Sequence, residues 1–202
     1  MEWFTGLGGQ ISQTPVIEWI AVVFGLIQVL LARNNNIWNY AAGIISTALS
    51  IYILANVKLY AESALNVYYL VMSIYGFVHW MGNRQHRELP ITKADSRDWL
   101  TTTVIVVAGF GILYYVLSAH TQSDVPAMDA WVSATAWAGM WLLARRKLEN
   151  WILLNVSNIF AIPLQVYKGI PLYAILTLVL FIVAIFGYMK WRKIYFLQHA
   201  KA

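Results

Sequence analysis

Residues 171–190, PLYAILTLVLFIVAIFGYMK, run nineteen positions without a charged side chain before Lys190 closes them. A membrane-spanning helix needs about 20 mainly apolar residues, so this stretch predicts one span. Working outward, six more such blocks precede it: 16–32, 37–56, 59–81, 98–119, 127–144 and 150–167. The breaks are polar: Arg33 to Asn36, the charged stretch from Gly82 to Arg97 with Pro90, Ser118 to Pro126, Arg145 to Glu149, and Lys168-Gly169 before Pro171. The whole chain is 60% hydrophobic and 11% charged, where soluble domains carry about 25% charged residues. The expected fold class is an all-α membrane protein of seven transmembrane helices.

A formal net charge of +5 would suggest nucleic acid in a soluble protein. Here the basic residues lie between apolar blocks and set orientation instead. With the N-terminus outside, twelve Lys and Arg fall inside: Arg33, Arg84, Arg87, Lys93, Arg97, Arg145, Arg146, Lys147, Lys190, Arg192, Lys193 and Lys201. Two, Lys58 and Lys168, fall outside. The expected protein is therefore multi-pass in a bacterial inner membrane, with its C-terminus cytoplasmic. The first ten residues, MEWFTGLGGQ, have no Lys or Arg and no cleavage-site pattern, so they do not read as a secretory signal peptide.

The opening stretch also has a partner upstream. Ile185-Phe186-Gly187-Tyr188 with Trp191 matches Ile74-Tyr75-Gly76-Phe77 with Trp80, and Leu172-Tyr173-Ala174 matches Leu59-Tyr60-Ala61. Trp151 matches Trp38, and Leu142 to Arg145 matches Leu30 to Arg33. The offset stays at 111 to 113 residues, which predicts a duplicated three-helix unit. Two such units in one orientation need an intervening helix, giving a 3+1+3 arrangement of parallel repeats. The expected division is 1–82 for the first repeat, 83–126 for the linker helix with its loops, and 127–202 for the second repeat with its tail.

Polar side chains inside spans are costly and usually face a cavity or the bundle interior. On the third helix Glu62, Asn66, Tyr69 and Ser73 share one face, and on the sixth Trp151, Asn155 and Asn158 do so, with Gln165 two turns further. Trp137 and Trp141 lie one turn apart on the fifth, and the first and second helices add Gln28, Asn39, Ser46 and Thr47. The substrate-binding residues expected are Glu62, Asn66, Tyr69, Ser73, Trp137, Trp141, Trp151, Asn155 and Asn158. Trp19, Trp80, Trp99, Trp131 and Trp191 lie near span ends and read as an interfacial belt. Gly25, Gly43, Gly76 and Gly187 read as close-packing positions.

No enzyme signature emerges. Cys is absent and the four His residues are scattered, so no metal or cofactor is expected. There is no Gly-rich phosphate loop, and Glu18 and Glu62 are the carboxylates read within or near spans, both close to the outer end. A facilitator without energy coupling is the simplest machine. A receptor or scaffold that binds a ligand without passing it is the reading from another class.

Leu59-Tyr60-Ala61, Ser73-Ile74-Tyr75-Gly76 before Trp80, and Glu149-Asn150-Trp151 opening the sixth helix give the chain its kinship. In these residues it resembles the PnuC family of bacterial vitamin transporters over nearly its whole length. The resemblance implies the 3+1+3 layout, an outside N-terminus, a homotrimer, and facilitated diffusion of nicotinamide riboside, thiamine or riboflavin trapped by a cytoplasmic vitamin kinase. Two departures stand out. The family's W-x-x-W on the sixth helix is Trp151 followed by Leu154, and Asn66 stands where nicotinamide riboside members carry Gln. Asn158 matches the family's Asn. The departures make thiamine the favoured ligand, with Leu154 widening the pocket, nicotinamide riboside next and riboflavin after it. No nucleic acid is expected; the partners are the vitamin and the lipid bilayer.

Overall fold

A computed structural model describes residues 15–56, 60–82, 90–121 and 123–200. The side chain of Glu62 lies outside the described residues, as do Lys58, Arg84, Arg87 and Lys201. The described chain is helical throughout: α1 (Val16–Arg33), α2 (Trp38–Asn56), α3 (Tyr60–Gly82), α4 (Ser96–His120), α5 (Pro126–Ala144), α6 (Asn150–Tyr167) and α7 (Pro171–His199). Local chemistry sets the ends. Pro126 and Pro171 occupy first-turn positions where a missing N–H costs nothing. Asp95 and Asp98 form a reciprocal capping box at the start of α4.

Four helices, α1, α2, α4 and α7, are long and apolar enough to cross a membrane. The other three carry the polar stripes and tryptophans, which lowers their mean hydropathy. Their lengths suffice: even the 18 residues of α6 reach about 27 Å, close to the thickness of a hydrocarbon core.

Helices α1, α2, α3, α5, α6 and α7 form a closed ring in which each packs on the next, α7 returning to α1. Helix α4 packs outside it against α5. Small residues line the seams. Ala130, Ala134 and Ala138 follow one another at i+4 on α5 and are fully buried, which lets neighbouring backbones approach closely, as helices in lipid require. Large apolar side chains point outward instead; Leu100, Val104 and Val107 on α4 are more than half exposed and form a lipid-facing surface.

The same local construction appears twice, at a constant spacing of 111 residues. Helix α1 ends with Asn35 at φ 56° and α5 with Arg146 at φ 55°. In each turn the left-handed residue's N–H bonds the carbonyl three back, and the next N–H bonds the carbonyl five back; this is the Schellman arrangement. Asn39 Nδ2 then donates to Asn36 O at 2.7 Å, and Asn150 Nδ2 to Lys147 O at 2.6 Å. Ser46 Oγ donates to Ala21 O and Ser157 Oγ to Val132 O, both at 2.8 Å. Tyr40 lies on Gly76 and Trp151 on Gly187, where a Cβ would collide with either ring. The register differs from the sequence match by two residues at one point: Tyr40, not the exposed Trp38, occupies the place equivalent to Trp151.

Helix α7 runs nine residues past the expected Lys190. The extension is held by packing: Trp191, Ile194 and Tyr195 join the core, and Gln198 Oε1 accepts the Ile91 N–H at 3.2 Å.

Candidate functional site

The end of the bundle that carries Arg33, Arg145, Arg146, Lys147 and Lys190 is closed. Tyr40, Trp80, Ile91, Leu143, Leu148, Trp151 and Trp191 make one buried cluster there. Tyr40 meets Trp80 edge-on at 5.2 Å, and Trp151 meets Trp191 likewise at 5.7 Å. Buried hydrogen bonds to backbone carbonyls tie the halves together here: Tyr40 Oη donates to Leu143 O at 3.1 Å, and Trp191 Nε1 to Ala32 O at 2.9 Å. The acceptors are themselves 111 residues apart. At the centre Arg146 Nη2 donates to Asn35 Oδ1 at 2.5 Å, with its guanidinium 4.0 Å over the Trp80 ring.

The segment before α4 straps this plug. Thr92 exchanges backbone hydrogen bonds with Arg146 and Leu148, fully buried Ile91 enters the cluster, and Glu149 Oε2 accepts the Ala94 N–H at 2.8 Å. Asp98, 3% exposed, pairs with Lys147 at 2.8 Å and Arg145 at 3.4 Å. Trp80 and Trp191, expected in an interfacial belt, are thus core residues, 5% and 0% exposed. Each indole faces a packed helix seam, so nearness to a span end misplaces it. Trp19 and Trp99 do face outward.

In the opposite half lies a cavity of about 580 Å³ bounded by α1, α2, α3 and α7, within the range that takes a small organic ligand. Its polar lining includes Glu18, Gln28, Ser46, Ser50, Asn66 and Tyr173; Leu26, Ile53, Leu176 and Leu180 supply apolar walls. Among the described lining residues there is one carboxylate and no Lys or Arg.

The structure disperses most of the expected site. Asn66 lines the cavity. Ser73 is fully buried one helical face-length deeper, with its hydroxyl unpaired among the described residues. Tyr69 stands edge-on to Tyr68, whose hydroxyl donates to Trp137 O at 3.1 Å. Trp137 stacks on Tyr68 at 4.7 Å and packs against the buried cluster of Leu113, Leu117 and Ala130, which turns it toward α4. Trp141 stacks with Tyr75 at 6.0 Å beneath the Arg145 guanidinium, at the basic end. Trp151 is 1% exposed inside the plug. Asn158 Nδ2 donates to Asn155 Oδ1 at 3.3 Å, so the two amides partly satisfy each other. Leu154 does not widen a pocket: it fills the space over Gly139, where a Cβ would sit 2.8 Å from its Cδ2.

Gln28 and Glu18 belong to the cavity although neither entered the expected site. The signal for Gln28 was an isolated amide in the middle of an apolar helix. Asp98 and Asp129 were also missed as carboxylates in spans; Asp129, in the first turn of α5, pairs with Lys168 at 2.6 Å and accepts from Ser123 Oγ.

A family model described as the nicotinamide mononucleotide transporter matches residues 15–193. The chain belongs to that family. Within it, the chain is 24% identical to the nicotinamide riboside transporter PnuC of Escherichia coli (strain K12), over 87% of this chain and 84% of that one. It is 28% identical to the nicotinamide riboside transporter PnuC of Neisseria mucosa, over 87% of this chain and 71% of that one. The fold matches the crystal structure of the vitamin B3 transporter PnuC with a TM-score of 0.71 at 24% identity, covering 96% of this chain and 88% of that one. Family membership and the four strongly apolar helices make this a multi-pass inner-membrane protein of a transporter family. Its named relatives are transporters rather than enzymes.

Proposed function

We propose that the protein is a facilitator for nicotinamide riboside, held in the cavity between α1, α2, α3 and α7. The observation that carries this is the lining: one carboxylate, Glu18, amides at Gln28 and Asn66, and no described Lys or Arg. Nicotinamide riboside is a cation bearing a carboxamide, and both features find partners in such a lining. The mononucleotide adds a phosphate, whose desolvation without a Lys or Arg partner is expensive. The lining therefore favours the riboside over its phosphate ester. The thiamine preference is withdrawn. The relatives are named for nicotinamide riboside, and the departure at Leu154 that favoured thiamine is a packing contact on Gly139.

The paired constructions at 111-residue spacing support a 3+1+3 arrangement of duplicated units about an axis along the membrane normal. In it α3·α5 and α7·α1 are equivalent seams and α4 is the connector. The charge bias supports a cytoplasmic basic end. On that reading the plug is a closed inner gate and the cavity is the outward-facing half of an alternating-access cycle. Trp151 serves the gate by packing rather than by stacking on the ligand. With no nucleotide-binding loop in the sequence, a cytoplasmic kinase completes uptake by trapping the vitamin, and a homotrimer is the assembly the resemblance implies.

A binding titration of the purified protein against nicotinamide riboside, its mononucleotide, thiamine and riboflavin tests the reading. Nicotinamide riboside is expected to bind tightest, with the mononucleotide at least tenfold weaker. Tighter binding of thiamine or of the mononucleotide overturns the ligand assignment.

A further inference from the structure

One polar group of the cavity, the Gln28 carboxamide, sits where a glycine on the neighbouring helix leaves room for it. Gly43 on α2 lies so close to α1 that a Cβ there would sit 2.8 Å from both Cδ and Nε2 of Gln28 and 3.0 Å from Ser73 Oγ. The Gln28 side chain lines the cavity. None of the described residues hydrogen-bonds its carboxamide, and the fully buried Ser73 hydroxyl has no partner among them either. Leaving the buried Ser73 hydroxyl unpaired costs about 1–3 kcal/mol, and the half-buried Gln28 amide faces the cavity with no partner among the described residues, so the arrangement is a poor packing solution.

The other half of the molecule carries the packing solution. At the constant spacing of 111, Gln28 corresponds to Gly139, Gly43 to Leu154 and Ser73 to Ala184. There the large side chain comes from the opposite helix. Leu154 fills the space over Gly139, and Ala184 is buried with no polar atom to satisfy. Two equivalent places thus have opposite characters, one apolar and shut, the other polar, unpaired and joined to a cavity.

We propose that Gln28, seated in the Gly43 notch with Ser73 behind it, is a subsite that reads a primary carboxamide on the bound ligand. A primary carboxamide offers an acceptor and two N–H donors, and the Gln28 amide can answer with a donor and an acceptor of its own. A carboxylate in the same place offers no donor and brings a negative charge into a cavity that already holds Glu18. The inference rests on the reading of this cavity as the nicotinamide riboside site.

The test is a calorimetric titration of the full-length purified protein with nicotinamide riboside and with the riboside of nicotinic acid, which differ only at that group. The natural chain is expected to prefer the carboxamide at least tenfold. Gln28→Met keeps the side chain's length and removes its hydrogen bonds; it is expected to weaken nicotinamide riboside about tenfold while changing the acid riboside less than threefold. Gly43→Ala, which displaces the Gln28 carboxamide, is expected to act in the same selective way. If either folded variant weakens both ribosides equally, or neither, the subsite assignment is wrong and the cavity reading stands. If the natural chain binds neither riboside, both fall.

Discussion

Tyr40→Phe removes one oxygen from the plug and leaves its packing in place. The ring keeps its edge contact with Trp80 and its seat on Gly76; what disappears is the bond from Oη to Leu143 O across the α2–α5 approach. Leu143 O still accepts the Arg146 N–H at 2.9 Å, so no buried acceptor is orphaned and the loss falls near the middle of the usual net range, about 1 kcal/mol. If the bond exists only with the inner gate closed, that is about a fivefold shift toward the open gate. The chain has no cysteine, which makes Ala184→Cys, 2% exposed behind the plug, a clean reporter. The assay is the rate at which a membrane-impermeant maleimide labels that thiol from the cytoplasmic face of inverted vesicles. We expect a rise of about fivefold with Tyr40→Phe and none with Tyr52→Phe, whose ring is 60% exposed. An unchanged rate in folded Tyr40→Phe protein would refute the gate.

Glu18→Gln is expected to weaken a cationic ligand about three- to tenfold at low salt. The difference shrinks toward 1 M, where screening length falls to about 3 Å; titrations at two ionic strengths check this, and a loss that ignores salt points to packing. Asp98→Asn leaves Lys147 without its buried partner and is expected to lower stability by about 3–5 kcal/mol. Asp129→Asn breaks a more exposed pair with Lys168 and is expected to cost at most about 1 kcal/mol; thermal unfolding in detergent compares them, and equal losses contradict the burial argument. Ser46→Ala and Ser157→Ala each delete a 2.8 Å bond to the neighbouring helix and are expected to cost about 1 kcal/mol apiece; a large disparity in unfolding would weaken the duplication.

The helices were legible because lipid imposes length and apolarity together, so the observed ends of all seven helices fall within two residues of the expected blocks except at the end of α7. That extension lies beyond the apolar run. Its stability comes from Ile91 and Gln198 meeting across more than a hundred residues, which no local pattern reveals. The recurrence at 111 residues was legible from Gly76 with Trp80 and Gly187 with Trp191, because the rings of Tyr40 and Trp151 packed on the two glycines constrain both stretches alike. The cavity lining was less legible. A polar stripe marks a helix face that avoids lipid, and on α6 and the lower part of α3 that face meets another helix rather than the cavity. Glu149-Asn150-Trp151 reads as a functional motif, yet its three side chains brace Ala94, cap Lys147 O and fill the plug. Gln28 escaped because one amide on an apolar helix forms no stripe, and Gly43, which makes room for it, leaves no polar trace.

Vesicles carrying the purified protein and no energy source test the central claim most directly. Labelled nicotinamide riboside is expected to equilibrate across the bilayer at zero membrane potential, to be competed by excess unlabelled nicotinamide riboside and not by thiamine. With a potential imposed, inside negative, it should accumulate by about 2.3 kcal/mol per 100 mV, as a freely passing cation does. Entry no faster than in protein-free vesicles, equal competition by thiamine, or accumulation at zero potential driven by a proton or sodium gradient would contradict the account.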